Sequence, residues 1–300
     1  MTNALAQQTQ FQPIVNMVLD TVSPRTRRDY GRALTDFLTW YGQTQPGSLN
    51  KAAVQSYRAE LISSGVPASS VNQRLAAIRK LATEAADNGF IDETSAQAIC
   101  RVENIKRQGK KLGNWLSRDQ ASAMVNAPDQ DTVKGLRDRA VLAIAIGCGL
   151  RRDEIATLRT SDFALREARW VILDLEGKHG RVRTVPVAAW VKSIVDSWTS
   201  AAALADGDFL FPAVRRGGHI QDGHMTAQAV WKVVETYSPV SGLAPHDLRR
   251  TFAKLAHQAG APIEQIQQSL GHASIQTTER YLGVDLDLQH APSDYIKLDV

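Results

Sequence analysis

Apolar residues recur every three or four positions through the first hundred residues, which is the spacing of helices that bury one face. The first such helix is expected to begin at Ser23-Pro24, because serine caps helices well and proline suits the first helical position. Two further apolar stripes cover residues 54–61 and 71–85, and a short helix is expected over residues 94–101. This pattern predicts an all-α module of four helices.

The pattern changes in the second half of the chain. A long apolar helix over residues 132–147 is followed by short runs typical of β-strands, at residues 163–165, 169–173 and 181–186. Helical spacing then resumes from residue 188 and continues to about residue 281. We therefore predict a mainly α chain with a small antiparallel β-sheet, an α+β fold.

Breaks in these patterns divide the chain into four parts. We expect an N-terminal helical domain over residues 1–105, a basic linker over 106–114, a second domain over 115–284 and a C-terminal tail over 285–300. The net charge is +5 over residues 1–111, +2 over 112–281 and −3 over 282–300. The basic residues of the linker are Lys106, Arg107, Lys110 and Lys111. They suit either a solvated linker or a segment that lies along a phosphate backbone.

Composition argues against disulfide-rich, secreted and membrane-spanning proteins, but it does not identify a function. The 300 residues carry a net charge of +4, and 43% of them are hydrophobic, an ordinary balance for a globular chain with a buried core. Cys100 and Cys148 are far apart, which argues against a disulfide framework and a structural zinc site, and a reducing cytoplasm is expected. No apolar run approaches the roughly 18 residues of a membrane span and no secretory signal is visible, so no membrane partner is expected.

Candidate chemistry is concentrated in the second domain. Arg151 follows Gly149 at the start of a helix, where the helix N-terminus favours an anion and a guanidinium can hold two phosphate oxygens. The alternative is a surface ion pair between Arg151 and Asp153 or Glu154. Both interpretations are open from the residues alone.

Two further segments supply a histidine, an arginine and a lysine. His246 and Arg249 are three residues apart, so they share one helix face near its N-terminus. This pair suits an edge that faces a phosphate, or a capping histidine beside a surface arginine. Lys178 is expected at the tip of the hairpin between the last two strands, where a lysine is usually solvated but can also deliver a proton.

The last segment is Leu270-Gly271-His272, which is followed by Tyr281. A lone tyrosine, with a pKa near ~10, is a poor nucleophile unless a base and nearby positive charge assist it. The second domain contains both histidines, which can act as bases, and basic residues. They can activate Tyr281 only if all these segments lie close together in the fold.

Taken in order, these motifs resemble the tyrosine recombinases, or phage integrase family, over nearly the whole chain. The motifs are Gly-x-Arg-x-x-Glu at residues 149–154, Gly-Lys-His-Gly-Arg-Val-Arg-Thr-Val-Pro at 177–186, His-x-x-Arg at 246–249, Leu-Gly-His at 270–272 and Thr-Thr-Glu-Arg-Tyr at 277–281. Only 22 residues precede the first expected helix, so the resemblance is to the simpler Xer- or Cre-like architecture of a core-binding and a catalytic domain. Leu282-Gly283-Val284 stands where Thr-His is frequent in the Xer branch, which leaves the subfamily open.

The resemblance implies a site-specific recombinase that cleaves and rejoins DNA without a metal, ATP or another cofactor. Tyr281 would attack a scissile phosphate and leave a 3′-phosphotyrosyl link and a free 5′-hydroxyl. His246 would accept the tyrosine proton or help to orient the phosphate. Lys178 would protonate the departing 5′-oxygen.

The same resemblance assigns the remaining groups around the phosphate. Arg151 and Arg249 would bind its non-bridging oxygens, and His272 would donate a further hydrogen bond. Glu154 would support the helix that carries Arg151.

The implied partners are double-stranded DNA with an inverted-repeat recombination site and other copies of the chain in a synaptic tetramer. Gln73, Arg74 and Arg79 of the third helix would face the DNA together with the basic linker. The acidic tail over residues 285–300 would dock on a neighbouring protomer, or is a frayed terminus.

Two other functions stay open. The first is a DNA-binding regulator that has lost catalysis, which the complete set of catalytic residue types argues against. The second is a topoisomerase that acts as a monomer, against which the helical N-terminal domain and the tail favour a recombinase.

Overall fold

The structure is a computed structural model, and it describes residues 2–44, 48–106, 114–177, 182–215 and 217–282. The chain divides into two compact units, Met1–Lys110 and Lys111–Val300. Both units are mostly helical, and the second also contains a three-stranded antiparallel sheet. The predicted fold class, mainly α with a small antiparallel sheet, is confirmed.

The described residues of the first unit form five helices. They are α1 (Thr2–Asp20), α2 (Pro24–Thr44), α3 (Lys51–Ser63), α4 (Ala68–Asp87) and α5 (Glu93–Cys100). The last four are the predicted ones. Their core includes the fully buried side chains Phe37, Leu75, Ile78 and Leu81.

The prediction that the first helix begins near Ser23 is wrong, because α1 precedes it. Phe11, Ile14 and Val18 recur at helical spacing and are buried in the core of the first unit, which stabilises α1. Pro13 lies inside this helix, where a proline normally predicts a break. Burial of one apolar face therefore outweighs the local preference of the proline.

The second unit has eight helices and three strands among the residues that the structure describes. The helices are α6 (Arg118–Asn126), α7 (Val133–Gly147), α8 (Arg152–Thr157), α9 (Ala189–Ala201), α10 (Ala227–Tyr237), α11 (Pro245–Gln258), α12 (Ile263–Leu270) and α13 (Ile275–Leu282). The strands are β1 (Phe163–Arg166), β2 (Arg169–Glu176) and β3 (Val182–Pro186). The predicted capping box of Ser117 and Gln120 begins α6.

Helix α7 is the centre of the second unit. Its residues from Ala140 to Ile146 are all buried, so this part of the helix is apolar on every side, as expected for a helix at the centre of a core. The sheet follows the order β1-β2-β3, with Phe163 opposite Ile172 and Ile172 opposite Val185. The register of β2 against β3 shifts between Ile172 and Leu175, and Leu175 lies opposite Arg183.

A smaller apolar cluster joins the last three helices. Ala253 of α11, Ile266 and Leu270 of α12, and Leu282 of α13 are buried together. This cluster fixes α11, α12 and α13 against one another, and these helices or the turns between them carry several of the candidate catalytic residues. Among the residues described, no helix is both long and apolar enough to cross a membrane.

Candidate active site

Arg249 connects three of the sequence motifs. Its side chain lies on α11 and is only 1% exposed. Its Nη1 donates to the carbonyl oxygen of Gly149 at 2.6 Å, and its Nη2 donates to the carbonyl oxygen of Leu270. The alternative of a surface arginine is therefore wrong for Arg249, and the motifs at residues 149–154, 246–249 and 270–272 meet at this side chain.

Gly149 has a backbone conformation and a packing that suit only glycine. Its φ is +62°, in the left-handed region that costs other residues about 1–2 kcal/mol. A Cβ atom there would lie 2.7 Å from Cδ1 of Phe252 and 3.0 Å from Cδ2 of Leu270. The glycine therefore lets the main chain approach α11 closely enough for its carbonyl to reach Arg249.

Arg151 caps helix α8 and pairs with Glu154. The Glu154 carboxylate accepts from the backbone N–H of Arg151 at 2.7 Å and from its Nη1 at 2.7 Å. The ion pair that the sequence left open is thus present, while the Arg151 side chain remains 32% exposed. Arg151 therefore combines a fixed internal contact with access to solvent.

Arg183 of β3 is a site residue that sequence reasoning missed. Its Nη1 and Nη2 donate to the two carboxylate oxygens of Glu154 at 3.0 Å and 2.8 Å, and its Nε donates to the carbonyl of Ser269 at 2.9 Å. It lies in the same motif as Lys178, but the predicted strand over residues 181–186 places Arg181 and Arg183 on one face, and alternation does not choose between them. The residue spacing within the motif does not identify Arg183 as a site residue either.

Glu154 is charged despite its burial. Burial alone raises the pKa of its carboxyl, but the hydrogen bonds and charge of Arg183, followed by the hydrogen bonds of Arg151, outweigh it and hold the pKa below its ordinary value. The Glu154 carboxylate lies between two guanidinium groups and contacts Arg151 directly, and its role as a support for the Arg151 helix stays a prediction.

His272 follows a sharp turn at the end of α12. Gly271 ends that helix in the left-handed conformation, with a φ of +61°. The Nδ1 atom of His272 lies 2.9 Å from Oγ1 of Thr278, which is buried. Burial and the charges of Arg249 and Arg151 lower the pKa of His272 to about 4, so the imidazole is neutral at neutral pH.

His246 lies in the first turn of α11 and is exposed. Partial loss of hydration, followed by the charges of Arg249 and Arg250, lowers the pKa of its imidazole, while Asp247 acts in the opposite direction. A neutral imidazole that is open to solvent can accept a proton.

Of the other two predicted catalytic residues, Tyr281 is described in its backbone only and Lys178 is outside the described part. The backbone of Tyr281 belongs to α13, three residues after Thr278, and its side chain lies outside the described part of the chain. Lys178 lies outside the described residues, between β2 and β3. The structure therefore brings together Arg151, Glu154, Arg249 and His272, with His246 one helical turn before Arg249.

The predicted DNA-contact residues of α4 have different surroundings. Gln73 is exposed. Arg74 donates to the hydroxyl of Tyr57 at 3.0 Å and pairs with Asp36 at 2.9 Å. Their contact with DNA stays a prediction, and Arg74 also stabilises the helical unit itself.

Arg79 has partners within its own unit as well. Its Nη2 donates to the carbonyl of Val102 at 2.6 Å and to Oδ1 of Asn104 at 2.8 Å. In the linker, Lys106 is exposed, and the basic residues Arg107, Lys110 and Lys111 lie outside the described part. The tail over residues 285–300 lies outside it too.

No group of three or more His, Cys, Asp or Glu residues in the described ranges is arranged to hold a metal ion. The candidate site is instead built from three arginines, Arg151, Arg183 and Arg249, with the Glu154 carboxylate between the first two, and from two histidines. This chemistry suits the binding of a phosphate diester.

Comparison with known proteins identifies the family. The model of the phage integrase family matches residues 114–286, and that of the phage integrase N-terminal SAM-like domain matches residues 17–89. The chain is 30% identical over 281 residues to the tyrosine recombinase XerC of Xylella fastidiosa (strain M23), with 91% of this chain and 90% of that protein covered.

A second relative has a similar identity, and a solved structure shares the fold. XerC of Thermodesulfovibrio yellowstonii is 29% identical over 276 residues, with 88% of this chain and 87% of that protein covered. The structure of the XerH site-specific recombinase bound to its difH substrate has a TM-score of 0.66 at 20% identity, with 88% of this chain and 76% of that chain covered. The predicted family is confirmed: the chain belongs to the phage integrase family of tyrosine recombinases, enzymes that cleave and rejoin DNA at specific sites.

Proposed function

We propose that this chain recombines duplex DNA at a specific site through a covalent 3′-phosphotyrosyl intermediate at Tyr281. The observation that carries the proposal is the pair of main-chain contacts of Arg249. Its guanidinium binds the carbonyl two residues before Arg151 and the carbonyl two residues before His272. Three groups able to bind one phosphate are thereby held at one place.

The proposed cleavage step is a transesterification. The hydroxyl oxygen of Tyr281 attacks the scissile phosphorus, and the bond from phosphorus to the 5′-oxygen breaks. His246 takes the tyrosine proton, and Lys178 gives a proton to the departing 5′-oxygen. Rejoining reverses these transfers with the 5′-hydroxyl of a partner strand, so no external energy source is needed.

Fixed donors stabilise the transition state in this proposal. Arg151 and Arg249 bind the non-bridging oxygens, where one well-placed donor is typically worth about 10²–10³ in rate. With the Thr278 hydroxyl donating to Nδ1 of His272, the Nε2 atom carries the proton and serves as a further donor. The lowered pKa of His272 supports this neutral form.

The proposal extends to the DNA and the assembly. Gln73, Arg74, Arg79 and the basic linker residues contact the duplex, and the exposure of Gln73 and Lys106 supports this role. Two inverted half-sites bind two copies of the chain, and two such sites form a tetramer in which the tail over residues 285–300 docks on a neighbour. We place the reaction in the cytoplasm, on chromosomal or mobile-element DNA.

A nicked suicide substrate tests this proposal. Inverted repeats about a short spacer in the DNA that flanks the gene would supply the site, and the nick would release the fragment with the free 5′-hydroxyl. We expect a covalent protein–DNA complex that Tyr281→Phe abolishes and that Tyr237→Phe, a matched change on α10, preserves.

Each contrary outcome overturns a named part of the proposal. Without a covalent complex of the unsubstituted chain on any flanking DNA, the enzyme function is wrong and a DNA-binding regulator is favoured. If Tyr281→Phe still forms the complex, the nucleophile is another residue. A monomer on paired sites, measured by mass photometry, would favour a topoisomerase over a recombinase.

A further inference from the structure

We propose that Arg183 is a positioning residue for strand cleavage, which acts by saturating the Glu154 carboxylate so that the guanidinium of Arg151 remains available to the scissile phosphate. This inference rests on the proposed function and adds to it a residue that none of the motif roles includes. Its basis is the geometry of four hydrogen bonds at one carboxylate.

Arg183 is placed to act through other residues rather than on DNA directly. Its side chain is 8% exposed, whereas that of Arg151 is 32% exposed. All three of its described hydrogen bonds go to protein groups, two to Glu154 and one to the carbonyl of Ser269. Nε, Nη1 and Nη2 of Arg183 each donate to a protein group, so this guanidinium is engaged in holding Glu154 and the turn at Ser269.

The acceptor capacity of Glu154 is filled. Oε1 accepts from Nη1 of Arg183 and from Nη1 of Arg151, and Oε2 accepts from Nη2 of Arg183 and from the backbone N–H of Arg151. Two carboxylate oxygens offer about four acceptor sites, and all four are taken here. Glu154 therefore has no site left for a second side-chain N–H of Arg151.

Loss of Arg183 would change the behaviour of Arg151. Two acceptor sites of Glu154 would open, and a carboxylate beside a guanidinium favours the bidentate pair with two parallel hydrogen bonds. Arg151 would then turn its second N–H group to Glu154 and away from the phosphate. The expected defect is in the rate of cleavage rather than in DNA binding.

Arg183 also contacts the turn that precedes His272. Its Nε donates to the carbonyl of Ser269, and a Cβ atom on Gly271 would lie 2.9 Å from its Cδ. One side chain of β3 therefore touches both the Glu154–Arg151 pair and the segment that leads to His272. Its replacement would loosen two donors of the proposed site together.

The test compares Arg183→Gln and Arg183→Lys with the parent on the suicide substrate. Single-turnover cleavage by Arg183→Gln should fall about 100-fold, the typical effect of a small misplacement of a catalytic group. The dissociation constant for DNA, measured in the Tyr281→Phe background, should stay unchanged. Arg183→Lys should recover only part of the rate, because an ammonium group cannot span both carboxylate oxygens.

Arg159→Gln is the matched control for a merely structural arginine. Arg159 donates to the carbonyl of Gly207 at 2.7 Å and lies over the ring of Phe209, outside the site. We expect this variant to melt at a lower temperature than the parent while the folded fraction cleaves at the parent rate.

A double-mutant cycle with Glu154→Gln separates the remaining explanations. If Arg183 acts through Glu154, the double variant should cleave faster than the product of the two single defects predicts. Multiplicative losses, or a parent-like rate of Arg183→Gln, would overturn the inference. In either case the parent still cleaves, whereas failure of the proposed function would leave the parent without a covalent complex.

Discussion

The Nδ1 atom of His272 lies 2.9 Å from Oγ1 of Thr278, a residue whose side chain is completely buried in α13. This contact joins the turn after α12 to the helix whose backbone carries Tyr281 three residues later. A proposed phosphate ligand and the proposed nucleophile are therefore linked through one hydroxyl group.

Replacement of Thr278 by valine tests that link. The isosteric change removes the partner of Nδ1 and leaves a half-buried imidazole nitrogen without it, a loss of about 1–3 kcal/mol in comparable cases. We expect a lower single-turnover cleavage rate with unchanged DNA affinity. Thr277→Val on the same helix is the control and should cleave at the parent rate, and equal defects in both variants would contradict the role of Thr278.

The lowered pKa of His272 predicts a pH dependence of stability. The folded site resists protonation down to a pKa of about 4, whereas the unfolded histidine takes up a proton near 6.5. The free energy of unfolding should therefore be highest above pH 6.5 and should fall as the pH drops toward 4. His246, whose pKa is also lowered, contributes with the same sign.

Urea unfolding at several pH values would measure this effect. His272→Gln should reduce the slope between pH 6.5 and pH 4 without abolishing it, since His246 remains. NMR of histidine-labelled protein should show that the ring of His272 stays neutral below pH 6. An imidazole that titrates at its ordinary pKa would contradict the prediction.

Glu154→Gln should destabilise the second unit strongly at neutral pH. It leaves Arg151 and Arg183 facing each other without the carboxylate, and breaking such a buried pair typically costs about 3–5 kcal/mol. Because the folded pKa of Glu154 is lowered, its contribution is complete above the ordinary value of 4.5 and is lost as the pH falls below it.

The difference in the free energy of unfolding between the parent and Glu154→Gln should therefore become smaller in acid. Urea titrations at pH 7 and below pH 4 would measure it. Asp153→Asn provides the control, because Asp153 is an exposed neighbour and exposed ion pairs contribute less than about 1 kcal/mol. A difference in the free energy of unfolding that is independent of pH would mean that Glu154 does not act through its charge.

Gly149→Ala should cost more stability than the same change at Gly260. Both glycines have a positive φ, but a Cβ atom at Gly149 meets Phe252 and Leu270, while one at Gly260 meets nothing within 4 Å. The conformational term of about 1–2 kcal/mol is shared, and overpacking adds about 1–3 kcal/mol at Gly149 alone. Equal losses in urea unfolding would show that the contact with Phe252 relaxes freely.

Salt titrations of DNA binding would test the predicted contacts of the first unit and the linker. Lys106→Met should reduce the slope of log K against log salt by about 0.9, the value for one phosphate contact, without loss of stability. Arg79→Met should lower stability as well, because Arg79 holds Val102 and Asn104. A loss of stability with an unchanged slope would remove Arg79 from the set of DNA contacts.

Local patterns in the sequence were sufficient for most helices. The cap at Thr132, the end at Gly147 and the apolar residues between them define α7 without help from the rest of the chain. Helix α1 was missed because the proline signal at Pro13 is local, whereas the burial of Phe11 and Ile14 that outweighs it is tertiary.

The site itself depends on contacts between distant segments. Arg249 and Gly149 are 100 residues apart, and no periodicity brings them together; only the order of the motifs and the family resemblance did so. Arg183 and Glu154 are 29 residues apart and belong to a strand and a helix. Arg181 and Arg183 fall on the same face of the predicted strand over residues 181–186, so alternation alone could not single out Arg183 as the partner of Glu154.

The contacts of Arg249 also have a consequence for the evolution of DNA specificity. A main-chain carbonyl is present whatever the side chain of its residue, so substitutions at Leu270 that keep the backbone path leave the acceptor for Arg249 in place. Selection for a new target sequence can therefore alter many neighbouring side chains while this cation keeps its anchor. Gly149, where any side chain is both strained and crowded, does not share this freedom.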